Sequence, residues 1–247
     1  MVTVSKVEEI TAILRTEILR GQYRPGERLP SERDLSARFE TNRGAIREAV
    51  KKLEQLGIIE VTPGGVRILP VEEATLEVLG YLLELGEVQR PELIGQMLDV
   101  LGAMTSLSIR SALARASETD IRDITGIVDA LITAHEKDDG SVHEVWMQLS
   151  EKLISIHRNL ILRLVANGLQ AQFIGQVQPE IEPERVRNPG SQHLAELLDA
   201  IREHDGEAAA SAVIRHFQAL KRELFALEDL QTATTPVSSQ SRSADYA

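Results

Sequence analysis

The sequence contains no cysteine, and aromatic residues make up only 3% of its 247 residues. The lack of cysteine excludes disulfide bonds and thiolate chemistry, and it fits a reducing compartment. No apolar run approaches the ~18–20 residues that a membrane-spanning helix needs, and the N-terminus has no signal-peptide pattern. We therefore expect a cytoplasmic protein with no membrane partner, whose core is built from aliphatic side chains.

Positive charge is also scarce, and it is unevenly placed along the chain. The formal net charge is −11 at pH 7. Residues 1–70 contain 12 Lys and Arg against 10 Asp and Glu, whereas the remaining 177 contain 15 against 28. A relatively basic end on an acidic body predicts a protein that contacts a polyanion with one domain only.

The N-terminal region carries the signals of three successive helices. A capping-box spacing and apolar residues at helical intervals predict a helix over 5–20. Ser31 is placed to cap a short second helix. Thr41 is placed to cap a third helix, which runs to about Leu56.

Two β-rich runs, 58–61 and 66–69, follow these helices. The segment between them, Thr62-Pro63-Gly64-Gly65, has the composition of a tight turn, so the runs predict a hairpin. Three helices followed by a hairpin form a winged helix-turn-helix, which we assign to residues 1–70.

After residue 70 the strand signals stop, and apolar residues recur with the helical period of 3.6. Helices are predicted over 72–86, 90–116, 118–136, 141–156, 158–177, 191–204 and 206–230. The proline-rich segment 178–190 predicts a loop, and the Ser- and Thr-rich segment 231–247 predicts a disordered tail. The fold class is therefore mostly α, with an all-α antiparallel helical bundle predicted over 71–230.

In a helix-turn-helix the second helix of the pair enters the major groove with its N-terminal residues toward the base edges. The candidate DNA-binding residues lie there, on the preceding helix and at the tip of the hairpin: Arg33, Thr41, Asn42, Arg43, Gly44, Arg47, Gly64 and Gly65. Arg43 can read guanine bidentately, Arg33 faces the phosphates, and Gly44 lets the backbone approach DNA closely. Thr41 and the helix N-terminus can hold a phosphate oxygen.

The order of these residues resembles the GntR family of winged-helix regulators. The resemblance covers about residues 5–70 and rests on the motifs Gly21-x-x-x-Pro25-Gly26-x-x-Leu29-Pro30-Ser31-Glu32-Arg33-x-Leu35, Arg43-x-x-x-Arg47-Glu48-Ala49 and Leu53-x-x-x-Gly57. It implies a homodimeric transcription factor that binds a palindromic operator in double-stranded DNA. Thr41-Asn42-Arg43 stands where the family often has Val-Ser-Arg, and Gly64-Gly65 where it has Gly-x-Gly, which bears on the preferred operator sequence.

The helical region 71–230 resembles the FCD effector domain in the FadR branch of this family, which implies that it binds an effector and joins the dimer. Many such domains hold a metal ion with an Asp-x-x-x-His pair nine residues before an Asn, and with two later histidines 22 residues apart. If Asn159 is that residue, the pair falls on Trp146 and Ser150, and His193 and His216 are 23 apart. We therefore predict no metal ion and no other cofactor.

The same branch implies a long-chain fatty acyl-CoA as the effector, which releases the protein from its operator in the control of fatty acid metabolism. Burial of the acyl chain would contribute ~0.8 kcal/mol per CH₂. The candidate effector-binding residues are Arg110, Asn159, Asn167, Phe173 and His216. A small organic acid or a sugar acid is the alternative effector.

Two other classes of protein compete with this interpretation. The sequence has no Gly-rich phosphate loop, no nucleophile elbow, and no His and carboxylate set at a catalytic spacing, so we do not expect an enzyme. A winged helix can also serve for protein–protein contact. A shift of double-stranded DNA by residues 1–70 at low salt separates that alternative from DNA binding.

Overall fold

The computed structural model describes residues 5–85, 90–137, 141–173 and 190–234. The described residues form two compact units. The first comprises residues 5–85 and 165–173, and the second comprises 90–137, 141–164 and 190–234.

The first unit contains the predicted winged helix-turn-helix, so the predicted fold class is confirmed. Its elements are α1 (Lys6–Leu19), α2 (Glu32–Arg38), α3 (Arg43–Gln55), β1 (Ile59–Thr62), β2 (Gly65–Ile68) and α4 (Val78–Leu85). The strands pair antiparallel, and Thr62 lies opposite Gly65 across a two-residue turn. A 3₁₀ turn at Val71–Glu73 precedes α4, so the prediction of one continuous helix over 72–86 is wrong. Residue 74 is extended, and the amide of Thr75 donates to the carbonyl of Leu56 instead of to a helical turn.

Side-chain caps define where the first three helices begin. Ser5 and Ser31 accept hydrogen bonds from the amides three residues on, at 3.2 and 3.3 Å, as predicted. The third cap is Asn42, whose Oδ1 accepts from the amide of Ala45 at 3.0 Å. The prediction that Thr41 caps this helix is therefore wrong, because the Thr41 amide donates to the carbonyl of Ser36 and closes the turn after α2.

Aliphatic side chains from all three helices and the first strand fill one core in this unit. Its largest fully buried side chains are those of Ile10, Leu14, Leu35, Ile46, Leu53, Ile58 and Ile59. They recur at helical spacing on α1 and α3, so each helix buries one face and leaves the other to solvent.

The second unit is helical throughout the part that the structure describes. Its elements are α5 (Arg90–Leu113), α6 (Glu118–Lys137), α7 (Val142–His157), the start of α8 (Leu160–Phe173), α9 (Gly190–Arg202) and α10 (Gly206–Thr234). α10 extends into the segment 231–247 for which a tail is predicted, and residues 178–189 of the predicted loop lie outside the described residues. No helix among the described residues is long and apolar enough to cross a membrane.

A hydrogen-bonded cluster fixes the start of α6 against α7. Asp120 accepts from the Ser117 hydroxyl at 2.7 Å, and Lys152 of α7 lies 2.9 Å from the Asp120 carboxylate. The hydrogen bonds from Ser117 and Lys152 hold the pKa of Asp120 far below its usual range. The core beside this cluster is mostly aliphatic and includes Ile109, Ile124, Leu131, Leu149, Leu153, Leu194 and Ile201.

Candidate DNA-binding and effector sites

Arg43 is the first residue of α3, and its side chain is exposed. The Asn42 cap fixes the direction in which the helix starts, because its side chain occupies one of the amides that a helix N-terminus leaves without an intrahelical partner. Asn42 thus supports the helix through its side chain, while Arg43 points its guanidinium into solvent. This arrangement suits a helix whose N-terminal end reads base edges.

The structure gives a reason, not evident from the sequence, why position 44 is a glycine. A Cβ built on Gly44 would lie 3.0 Å from Oδ1 of Asn42, the atom that caps α3. A glycine here therefore leaves room for the cap. The predicted role of Gly44, a close approach of backbone to DNA, stays a prediction.

Arg47 lies one turn further along α3 and is tied to α2. Its Nε donates to both carboxylate oxygens of Glu32, at 2.9 and 3.0 Å. This hydrogen bond raises the pKa of Arg47 above its usual value. Since 63% of the Arg47 side chain remains exposed, the pair orients the guanidinium without burying it. Arg33, also on α2, is 81% exposed and lies 3.6 Å from the carboxylate of Asp34.

The tip of the hairpin consists of Pro63 and Gly64, followed by Gly65 with φ at 117°. This left-handed backbone favours glycine, and the hydroxyl of Thr62 donates to the Gly65 carbonyl at 2.8 Å across the turn. Gly64 has a neighbour that the sequence did not indicate. A Cβ at Gly64 would lie 3.3 Å from Nη2 of Arg28.

Arg28 and Arg67 together place two cations beside the wing. The two residues form an isolated antiparallel bridge, and the guanidinium of Arg67 donates to the carbonyl of Gly26 at 3.0 Å. Sequence reasoning missed both, because the turn at Pro25-Gly26 and the hairpin meet only in the folded chain. The Pro-Gly turn was the one available signal that the chain reverses there.

In the helical unit, His216 lies in the core and is 0% exposed. Its ring lies 5.2 Å from Trp146, 5.5 Å from His135 and 5.6 Å from Phe217, measured between centroids. These contacts make His216 part of an aromatic cluster that joins α6, α7 and α10.

The other predicted effector-binding residues occupy different environments. Arg110 is exposed on α5 and lies 3.4 Å from the carboxylate of Glu207. Asn159 accepts from the amide of Leu162 at 3.1 Å and so caps α8, and Asn167 is exposed on that helix. The side chain of Phe173 lies outside the described residues.

The residues present do not fit a divalent metal ion. If Asn159 is the aligned Asn, the carboxylate ligand of many FCD domains falls on Trp146, which has no atom suited to coordinate a divalent ion and whose ring packs against His216. His193 approaches Glu196 at 3.4 Å, next to the ion pair of that carboxylate with Arg215. In the described part of the chain, no three His, Asp or Glu side chains form a group that could hold a metal.

A surface groove runs between α5 and α10. It is lined by Asp99, Gln218, Lys221, Arg222, Phe225 and Ala226. None of the predicted effector-binding residues lines this groove, and Lys221 and Asp99 pair across it.

Comparisons with known proteins place both regions of the chain in described families. Residues 6–67 match the family described as bacterial regulatory proteins, gntR family, and residues 96–219 match the FCD domain. The galactonate operon transcriptional repressor of Escherichia coli is 27% identical over 228 residues, which cover 90% of this chain and 98% of the repressor. The fatty acid metabolism regulator protein of Pectobacterium carotovorum is 27% identical over 210 residues, covering 81% and 82%.

Among solved structures, one similar fold is that of Lar, described as controlling expression of the Listeria monocytogenes agr system. It is 16% identical, covers 91% of this chain and 99% of Lar, and has a TM-score of 0.56. At this identity the similarity concerns the fold alone.

Proposed function

Because the chain belongs to the GntR family of bacterial regulatory proteins and carries an FCD domain, we propose that it is a homodimeric repressor released from a palindromic operator by a sugar acid. The observation that carries the DNA-binding part is the exposed Arg43 at the capped N-terminus of an α-helix in a winged helix-turn-helix. Such a regulator acts where the chromosome is, in the bacterial cytoplasm.

We assign the DNA contacts by the position of each side chain. Arg43 reads a base edge in the major groove, with Thr41, Asn42 and Gly44 forming the end of the helix that faces the same groove. The cations on α2 and along α3, Arg33 and Arg47, contact phosphates. The exposed positions of Arg33, Arg43 and Arg47 support this division.

The wing adds a second contact. Gly64 and Gly65 have no side chains, so the hairpin tip is narrow enough for a minor groove. Arg28, whose guanidinium lies next to Gly64, and Arg67 beside it supply positive charge for the phosphates that border this groove. A dimer places two such units on half-sites about one helical turn apart, which is why the operator is expected to be a palindrome.

The effector class is drawn from the relatives. The galactonate operon repressor covers 90% of this chain, and its name supports a sugar acid as the effector. The acyl-CoA alternative is supported by the fatty acid regulator, which is 27% identical but covers 81%. Among the described residues of the helical unit, His216 is fully buried with the Trp146 ring beside it, and we propose that this cluster, with Arg110 and Asn159 of the same unit, contributes to the effector site.

The test begins with the binding sites themselves. Chromatin mapping supplies the operator, and fluorescence anisotropy then follows release of the labelled operator from the full-length protein. We expect D-galactonate or a related sugar acid to release the DNA, whereas oleoyl-CoA at micromolar concentration leaves it bound. Release by oleoyl-CoA alone would replace the sugar acid with an acyl-CoA, and failure to bind any mapped duplex would overturn the repressor assignment.

A further inference from the structure

Glu32 is an acidic residue on the surface that we assign to DNA. It is the first residue of α2, and its carboxylate accepts a hydrogen bond from Arg47 of α3. The Glu32 side chain is 39% exposed. A carboxylate at this place repels the phosphates of DNA, so by its charge alone it weakens binding to every duplex. Its presence therefore calls for a second effect that favours the operator.

The hydrogen bonds to Glu32 occupy only one edge of the Arg47 guanidinium. Nε of Arg47 donates to both carboxylate oxygens, at 2.9 and 3.0 Å. In the described part of the chain neither Nη nitrogen of Arg47 has a hydrogen-bond partner, and 63% of its side chain is exposed. Because the guanidinium is planar and rigid, a carboxylate on the Nε edge fixes the plane of the whole group. Glu32 thus orients the Nη end of Arg47 and leaves that end open to a phosphate.

Another arginine–glutamate pair of α2 has the opposite geometry. Arg38, in the last turn of α2, donates from both Nη nitrogens to the two carboxylate oxygens of Glu17 on α1, in one case at 2.9 Å. That pair occupies the Nη end of the arginine and ties two helices together. The Arg47 pair keeps the Nη end open, which is the geometry of an oriented donor.

An oriented arginine and a free arginine act differently on DNA. A free arginine side chain can adopt many rotamers and can follow whichever phosphate is nearest, so it favours all sequences alike. A phosphate contact held in one geometry fixes the register and orientation of the protein on the duplex. Arg43 lies one turn of α3 before Arg47, so the register that Arg47 fixes determines which base Arg43 meets.

We propose that Glu32 is a specificity-determining positioning residue, which orients Arg47 toward one phosphate of the operator. The inference rests on the proposed DNA binding and adds to it a residue that acts through Arg47 and not by touching DNA. Glu32 lowers the affinity for DNA of any sequence through its charge, and it raises the preference for the operator through the geometry that it imposes. Removal of the carboxylate therefore changes the binding of operator and unrelated DNA in opposite directions.

Fluorescence anisotropy of the full-length protein, with the mapped operator and with a duplex of unrelated sequence, tests this role. Glu32→Gln is expected to bind the unrelated duplex about 3-fold more tightly and the operator about 3-fold more weakly, so that the ratio of the two affinities falls about 10-fold. Glu48→Gln removes the same charge from an exposed position of α3, and it is expected to tighten binding to both duplexes alike with no change in their ratio. A residue that only held α2 against α3 would weaken both when removed.

Two variants at position 47 test whether Glu32 acts through the arginine. Arg47→Lys keeps the charge but has no Nε and no planar group, and it is expected to lower the affinity ratio about as much as Glu32→Gln does. In an Arg47→Ala background, Glu32→Gln is expected to leave the ratio where Arg47→Ala alone puts it, because two residues that act as one unit are not additive.

The ratio of the two affinities decides the outcome. The proposal is overturned if Glu32→Gln keeps the wild-type ratio, or if it lowers the ratio equally with and without Arg47. Hydrogen exchange of peptides from α2 and α3 checks that Glu32→Gln is folded, and Arg47→Lys decides the question if it is not. A wild type with no preference for the mapped operator refutes the repressor assignment, whereas a preference that survives Glu32→Gln unchanged refutes only the role of Glu32.

Discussion

Gly57 and Gly21 offer a matched pair of substitutions in the winged domain. Both glycines have left-handed backbones, with φ at 72° and 73°. They differ in what surrounds them. A Cβ on Gly57 would lie 3.0 Å from the carbonyl oxygen of Glu73 and 3.1 Å from Cα of Ala74, whereas a Cβ on Gly21 would meet nothing within 4 Å.

The expected cost of alanine follows from this difference. At both positions alanine in a left-handed conformation costs about 1–2 kcal/mol. Only at Gly57 must neighbouring backbone also move, and overpacking of this kind costs a further ~1–3 kcal/mol. We therefore expect Gly57→Ala to destabilise the winged domain by about 2–5 kcal/mol. Gly21→Ala is expected to cost only the about 1–2 kcal/mol of the left-handed backbone.

Hydrogen exchange of the full-length protein measures the two costs in one experiment. Peptides from α3 are expected to lose roughly 30-fold or more of their protection in Gly57→Ala and about 5- to 30-fold in Gly21→Ala. Peptides from α7 in the helical unit provide the internal reference. Equal losses of protection in the two variants would show that a Cβ at position 57 does not clash with the backbone of residues 73–74.

Three further predictions concern the cap, the acidic cluster and the wing. Asn42→Ala is expected to destabilise α3 by about 1 kcal/mol, and Asn42→Ser to restore most of it, in the same exchange experiment. Because the pKa of Asp120 is lowered in the folded state, its stabilising effect is fully present above the unfolded value of about 3.9 and is lost progressively as the pH falls from there through the lowered folded value. The excess of the wild type over Asp120→Asn in urea midpoint should therefore be largest at pH 7 and smaller at pH 3, measured by tryptophan fluorescence, with Asp129→Asn as the control. Arg28→Ala is expected to weaken binding to operator and unrelated duplex alike and to reduce the salt dependence by about one phosphate contact, as seen by anisotropy.

The winged helix could be predicted because its signals are local. Ser5 and Ser31 cap helices that begin one residue later, and the Pro-Gly-Gly turn lies between strands of matching length. The third cap could not be assigned in the same way, since Thr41 and Asn42 are adjacent and both are capping residues. The choice depends on the Thr41 amide, which bonds to Ser36 in the preceding helix.

The features that could not be predicted depend on contacts between segments that are distant in the sequence. The approach of Arg28 to the wing depends on a bridge to Arg67, 39 residues further along the chain. In the helical unit, the side chain of Asn159, a candidate effector-binding residue, also caps α8, which its position in the sequence does not reveal. Periodicity predicts which helices form but does not determine which of their polar side chains meet, because that depends on how the helices pack.

The central claim is that α3 reads operator bases through Arg43. Anisotropy titrations of the mapped operator and of a scrambled duplex, at several salt concentrations, compare the wild type with Arg43→Ala, and Arg202→Ala in the helical unit serves as the control. Loss of a base contact is expected to cost about 1–3 kcal/mol, or roughly 5- to 150-fold, on the operator and far less on the scrambled duplex. If Arg43→Ala binds the operator as tightly as the wild type, α3 does not read the operator in the way proposed.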